Sequence, residues 1–489
     1  MTERKWVSGL VLAMVGASAG AALGGAASEA VGAVGARVPA AGLGALVGGV
    51  LACLLLGARL ARALPDALDG WFARRRILHV VWIVAAILGA ANLARVGVFA
   101  AAPDAQWASA FPPVPETANH SCLAAYVRAG DLARHGVDVW NPTHYENEPM
   151  RERSTIDGLQ PWLGDAWEYP PPALILPRAA IAVTNRYQLI RDLWFAASVI
   201  AFFAAYVALA LYAGNATALI LAPLFGLAFP LLFGLQWGQA HGVVLAASIG
   251  AMVLFARGRD AAGGALLAIA ISTKIFPGLL LVHLAMRRRW RAVIATCVAL
   301  GVLVGLSWIV VGGNVWYGFV REQLPRMSSG AAFGTMPYNI DNLAPYGWPL
   351  KLQTLGIGDG SFASTAAWLW TLVAIALTVL GSRGPADRRR DSIVWLGILA
   401  AGALRSPYAP IYTAVGSLLV LAFAMPARPA RRAQAIVCWI LLQGVPPLGG
   451  QVAMVYATIP MILVSVGLAI SGCLPRRADD SARTASPSA

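Results

Sequence analysis

Gln236, Trp237, Gly238, Gln239, Ala240 and His241 open the stretch that decides the fold, and Arg287, Arg288, Arg289, Trp290 and Arg291 close it. Between them an apolar segment runs to Arg257, Gly258, Arg259 and Asp260. A glycine-rich segment follows, is broken at Lys274, Ile275, Phe276 and Pro277, and resumes up to the second basic cluster. Basic clusters between apolar runs mark the cytoplasmic side of a membrane. Lys274 and Pro277 lie midway between two such clusters, so the chain must go in and come back between them. That predicts a hairpin whose tip carries a lone lysine on or within the opposite face.

The whole chain agrees with this reading. It has 489 residues, 58% hydrophobic and 12% charged, with a mean hydropathy of +0.66. Soluble domains carry about 25% charge. The formal net charge of +14 sits in short clusters between apolar runs, so it reads as positive-inside topology and not as a nucleic-acid surface. Cys53, Cys122, Cys297, Cys438 and Cys473 show no metal-finger spacing, and neither a disulfide nor a zinc site is expected.

Working outward, spans are expected over 6–27, 40–56, 77–101, 189–212, 216–233 and 243–255. They continue over 293–311, 366–380, 393–404 and 411–424, with two more before Pro475, each near the ~20 residues a crossing needs. The first run reads as a retained helix, because a second hydrophobic run follows it closely. Segments 263–273 and 278–286 are too short to cross alone and fit a pair of short helices around the Lys274 tip. Residues 173–183 fit the outer interface. The prediction is an all-α polytopic membrane protein of about fourteen transmembrane or short membrane helices, with both termini inside. Two long external loops, 102–172 and 313–362, join three polar tips on one face. Residues 1–76 read as a two-helix addition, 77–474 as the main membrane domain and 475–489 as a disordered cytoplasmic tail.

Chemistry is expected on the external face. Ionisable groups at membrane depth are costly and are usually functional or paired. Lys274 suits a lipid phosphate as a point charge, and Arg405, beside Ser406 and Pro407, suits phosphate through its fork. Both can also be read as structural cations snorkelling to the interface. Gln236, Gln239 and His241 suit sugar hydroxyls or a phosphate, or else helix packing. Removing the proton from an attacking hydroxyl needs a base. Asp104 is a candidate because it lies just past the end of a span. Glu168 adjoins the stiff run Tyr169 to Pro172, and Asp341 sits with Asn339 and Asn342. His120 is the other proton-transfer candidate. The chain has no phosphate-binding glycine-lysine loop and no Asp-x-Asp pair in a long loop, so ATP-driven transport and a cytoplasmic nucleotide-sugar donor are not expected.

At Gly238-Gln239, Arg257 to Asp260, Ala262-Gly263, Lys274 to Pro277 and Arg287 to Trp290 the chain resembles the GT-C membrane glycosyltransferases, most closely glycosyltransferase family 87. Tyr169-Pro170-Pro171 and Ser406-Pro407 fit the same pattern, and the resemblance covers roughly Ile77 to Leu474. It implies a GT-C-like fold and an inverting hexose transfer, most often of mannose, from a polyprenyl-phosphate-linked donor. The acceptor would be a glycolipid or cell-envelope glycan at the periplasmic face of a bacterial plasma membrane. Lys274 and Arg405 would hold the phosphate and a first-loop acid would act as base, with membrane lipids as surroundings and neither cofactor nor metal. In the family an aspartate typically stands a few residues before a tyrosine of the first loop. Here Asn119 to Leu123 precede Tyr126 and contain no acid, so Asp104 or another acid must take that place, or catalysis is altered. A transporter or flippase of lipid-linked substrates, and an envelope scaffold, are the competing readings.

Overall fold

The computed structural model describes residues 2–68, 76–111, 119–146, 154–160, 162, 164–334, 336–339, 341–384, 386–424, 436–442 and 459–473. Glu116, Glu148 and Glu152, the basic residues Arg74, Arg75, Arg428, Arg431 and Arg432, most of the last two expected spans and the tail lie outside them. Among the described residues the regular structure is helical, with an isolated bridge between Asp157 and Arg186.

Among the described residues six helices are long and apolar enough to cross a membrane, or seven if one bent pair counts as a span. In chain order the principal helices are α1 (Glu3–Ala30), α2 (Arg37–Ala63), α3 (Arg76–Ala101), α4 (Cys122–Arg134), α5 (Ile175–Val183) and α6 (Tyr187–Ala213). They continue with α7 (Ala216–Leu221), α8 (Phe229–Gln236), α9 (His241–Ala256), α10 (Asp260–Thr273), α11 (Gly278–Met286) and α12 (Trp290–Val311). The last four are α13 (Ala363–Arg383), α14 (Arg388–Ala403), α15 (Ala414–Phe423) and α16 (Ile459–Cys473). The chain is thus an all-α polytopic membrane protein.

The N-terminal hairpin is a glycine zipper. A Cβ on Gly16, Gly20 or Gly24 of α1 would overlap the backbone of Gly48, Gly44 or Ala40 on α2. Small residues four apart let two membrane helices approach at the backbone, where dispersion and not hydrophobic exclusion holds them. The pair is not detached, since α1 also packs on α3 and α6. Gly97 lies against the backbone of Ser18, and Arg186 donates to the Glu29 carbonyl at 2.6 Å. The free side of α2 exposes Leu43, Leu46, Val50 and Leu54, as α12 exposes Ile294, Val298, Val302 and Ile309. Apolar residues on these outer faces fit lipid.

The span expected over 216–233 is broken. Its two halves bend by 57° between Leu227 and Phe229. Pro223 and Pro230 each remove a backbone donor, and the backbone of Gly226 lies directly against Gly89 of α3, where a Cβ would clash. The bend brings the end of α8, and with it Gln236, under the first long loop.

Helices α10 and α11, about 21 and about 14 Å long at 1.5 Å per residue, both fall short of the ~30 Å hydrocarbon core. They meet at the turn Lys274–Pro277 as expected. At their other ends the basic turns gather. Arg287 pairs with Asp391 at 2.7 Å and donates to the Gly384 carbonyl at 2.8 Å, while Arg289 donates to the Phe255 carbonyl at 2.6 Å. Three basic turns on one end, and the long loops on the other, give the bundle two chemically different ends.

The long loops are folded. Helix α4 is buried along almost its whole length and forms a second core with Trp140, Trp162, Trp167 and Tyr187. Asp131 accepts hydrogen bonds from the hydroxyls of Thr155 at 2.6 Å and Ser154 at 3.1 Å, closing the loop on itself. The two loops touch, as the Trp140 indole donates to the Val315 carbonyl at 3.2 Å.

Candidate active site

The turn between α8 and α9 is where the first loop, the hairpin tip and the last tip converge. Gly238 has a φ of +66°, and a Cβ there would stand 2.7 Å from Cβ of Leu123. Both facts require glycine, and both serve to seat α4 on the turn. The seat is hydrogen-bonded: Leu123 N–H donates to the Trp237 carbonyl at 3.3 Å, and the Ser121 and Tyr187 hydroxyls meet at 2.6 Å.

Gln239 then spends its whole amide. Its Oε1 accepts from the Tyr126 hydroxyl at 2.6 Å and the Tyr169 hydroxyl at 2.9 Å. Its Nε2 donates to the Tyr412 hydroxyl at 2.9 Å and to Cys122 Sγ at 3.4 Å. Four contacts are the full capacity of an amide side chain. One residue therefore fixes α4, the run after the first loop and the segment leading into α15.

Lys274 lies against that frame. Its Nζ stands 5.4 Å from the Tyr169 ring centre and 5.2 Å from that of Tyr412, within the range of cation–π attraction. His241 completes the wall, with its ring 5.6 Å from both Phe276 and Tyr412. His241 is 2% exposed, and neither ring nitrogen meets a hydrogen-bond partner among the described residues. A buried imidazole without a partner is costly, and a ligand oxygen would relieve it.

The acids around this wall differ in state. Glu168 is partly buried, and burial, then the charge of Asp165, push its carboxyl well above the usual range, against the pull of Lys274 and Arg326. Burial disfavours a charged His120, but the charge and hydrogen bond of Asp165 at 3.3 Å overcome this and raise the imidazole to about 10. Asp341 is raised by burial, while the Tyr408 hydroxyl, which donates to it at 2.9 Å, and Lys351 favour its ionised form. Asp341 is held near the tip because Asn342 bridges the second loop to it. Asn342 Nδ2 donates to the Pro407 carbonyl at 3.1 Å, and its Oδ1 accepts from Ala409 N–H at 2.9 Å.

The structure thus brings together Lys274, Gln239, His241, Glu168, His120 and Asp341, through direct contacts or mutual electrostatic influence. It leaves three other expected residues outside. Asp104 is exposed in the turn after α3. The Gln236 amide accepts from Ala110 N–H at 2.7 Å and donates to Ser109 at 2.8 Å, which tethers the first loop. Arg405 stacks on Trp368 of α13 at 5.5 Å. Tyr408, Tyr412 and Asp165 join the site without having been singled out as candidates. Tyr126 and Tyr169, noted beforehand only as marks of the family pattern, join it too.

The bundle thus holds a lysine, a histidine without a hydrogen-bond partner among the described residues and several carboxyls under folded loops. Residues 167–407 match the family model of glycosyltransferase family 87, and over this region the chain is similar to that family. The matched region begins at Trp167 and includes the Gln239 turn, the Lys274 tip and Asp341, but it starts after α4, His120 and Asp165. No curated protein and no solved structure matches the chain significantly.

Proposed function

We propose that the protein transfers a hexose, mannose being the first candidate, from a polyprenyl-phosphate-linked donor to a glycolipid or envelope glycan. The reaction would take place at the external face of a bacterial plasma membrane and invert the anomeric configuration. The observation that carries this reading is Lys274 held at a hairpin tip between two tyrosine rings, next to the unpartnered His241. A phosphate oxygen has a cation and a free imidazole to meet there, and the short helices give its lipid chain a route along the bundle.

In this reading the acceptor hydroxyl oxygen attacks the anomeric carbon from the face opposite the phosphate. The carbon–oxygen bond to phosphate breaks, the bonding pair leaves with the phosphate, and Lys274 stabilises the charge. Positioned cations of this kind act where charge develops. The hydroxyl proton passes to Asp341. Among the gathered groups Asp341 is the one favoured as base, since a base must start without its proton. Glu168 is pushed toward its neutral form, and His120 already engages Asp165 at 3.3 Å. The folded loops would receive the acceptor. Asp104 and Arg405 have supporting places outside the reacting centre.

The test is transfer of radiolabelled mannose from polyprenyl-phosphate-mannose to endogenous lipids by membranes carrying matched amounts of each variant. Asp341→Asn should lower transfer by roughly 10²–10⁴-fold and Asp104→Asn should keep it. The reverse result would remove Asp341 as base. Silent wild-type membranes, across several lipid-linked sugars, would shift the reading to transport of lipid-linked substrates.

A further inference from the structure

His120, Cys122 and Asp165 bring their side-chain ligand atoms within 4.8 Å of one another. Asp165 Oδ2 lies 3.3 Å from His120 Nε2, and Cys122 Sγ lies 3.8 Å from the same nitrogen. The shared nitrogen is informative. A relay in series uses both ring nitrogens, one toward the acid and one toward the nucleophile. Here the oxygen and the sulfur converge on one.

The distances point the same way. A charge-assisted hydrogen bond between imidazolium and carboxylate is about 2.8 Å long, shorter than the gap seen. Zinc ligated at about 2.0–2.1 Å by nitrogen, about 2.0–2.2 Å by oxygen and about 2.3 Å by sulfur gives tetrahedral edges of about 3.4 Å for N–O and about 3.6 Å for N–S. The two gaps lie close to these edges.

We propose that His120 Nε2, Cys122 Sγ and Asp165 Oδ bind a single zinc ion, with the fourth position open to water or a ligand oxygen. Mixed nitrogen, sulfur and oxygen ligands suit zinc, and three protein ligands with one open place are the pattern of sites that also hold a small ligand. Outer contacts are present too. The Gln239 amide donates to the sulfur at 3.4 Å, and the His120 ring packs on Trp237 at 4.0 Å. The Asp165 side chain is 39% exposed and gives the ion an entry path. The ion ties the first loop to the run that leads into Tyr169, and it adds positive charge beside the Lys274 wall through the shared Gln239. The inference does not depend on the transfer reaction. The spacing of the cysteines gave no sign of it, because the acid arrives forty-three residues after the cysteine.

The test uses the full chain in detergent, stripped with a chelator and then titrated with cobalt as a spectroscopic stand-in and with zinc by calorimetry. Expected are one-to-one binding, a sulfur-to-cobalt charge-transfer band in the near ultraviolet and visible bands of a tetrahedral ion. Cys122→Ser should remove the charge-transfer band. Asp165→Asn should weaken zinc binding at least ~10-fold, the scale on which even outer-contact changes act. Cys53→Ser, a cysteine of α2 remote from the loop, should change nothing. A missing band in the wild type, a band that survives in Cys122→Ser, or unchanged zinc affinity in Asp165→Asn would each overturn the proposal. Should Cys122→Ser not fold, Asp165→Asn alone decides, because its partly exposed carboxylate is replaced by an isosteric amide.

Discussion

The molecule has two proline-containing tips with a cation at the start, Lys274 to Pro277 and Arg405 to Pro407, and they end in different surroundings. Lys274 faces the rings of Tyr169 and Tyr412 in the frame built by Gln239. Arg405 turns to Trp368, an exposed tryptophan on the outer side of α13. The first cation lies between two tyrosine rings, while the second packs on an exposed tryptophan. The difference comes from what precedes each tip. Helix α10 delivers its lysine beneath the first loop, whereas α14 ends where Asn342 and Asp341 already occupy the inner side through Pro407, Ala409 and Tyr408. A cation's sequence context is therefore less telling than the loop folded over it.

The largest effect should come from the base. Asp341→Asn should lower transfer by roughly 10²–10⁴-fold, the range of a lost general base, measured with the labelled donor in matched membranes. Lys274→Ala should lower it by about 10²–10³-fold, as loss of one positioned charge does. Arg405→Ala should cost only a few-fold, and equal losses at the two tips would erase the contrast between them. The acid limb of activity should also follow Asp341. Its carboxyl is raised above the ordinary value of 3.8, so activity should be full at neutral pH and fall as pH drops through that raised value, while Asp341→Asn flattens the limb. An acid limb that persists unchanged in Asp341→Asn would exclude Asp341 as the base. The smallest expected effect is on stability. Gln239→Leu leaves three tyrosine hydroxyls short of a partner and should cost about 1–3 kcal/mol, read as a lowered Tm in detergent.

Much of the framework was legible in the chain. The basic clusters at Arg257 to Asp260, Arg287 to Arg291 and Arg383 to Arg390 fixed which helix ends lie together, because their positive charge must stay in water. Hydrophobic length separated the long α12 from the short α10 and α11. Several boundaries extended further than the hydropathy suggested, as at α2 and α14, because charged residues at a helix end can remain helical. The bend between α7 and α8 was not legible. Prolines announce a lost hydrogen bond, but the close approach of Gly226 to Gly89 is a long-range contact. The site was legible in part. The polar residues at 236–241 and the lysine tip stood out because polarity is rare among apolar runs. Asp104 stood out because it lies just past the end of a span, yet in space it remains in solvent.

Sequence alone therefore determined that this chain lives in a membrane, which helix ends share a side and where polar groups interrupt the apolar runs, since all three follow from local transfer energies. Tertiary structure alone decided which polar groups meet. Tyr126, Asp165, Gln239, Asp341 and Tyr412 are far apart along the chain, and only the folding of two loops over the hairpin tip brings them into one electrostatic neighbourhood.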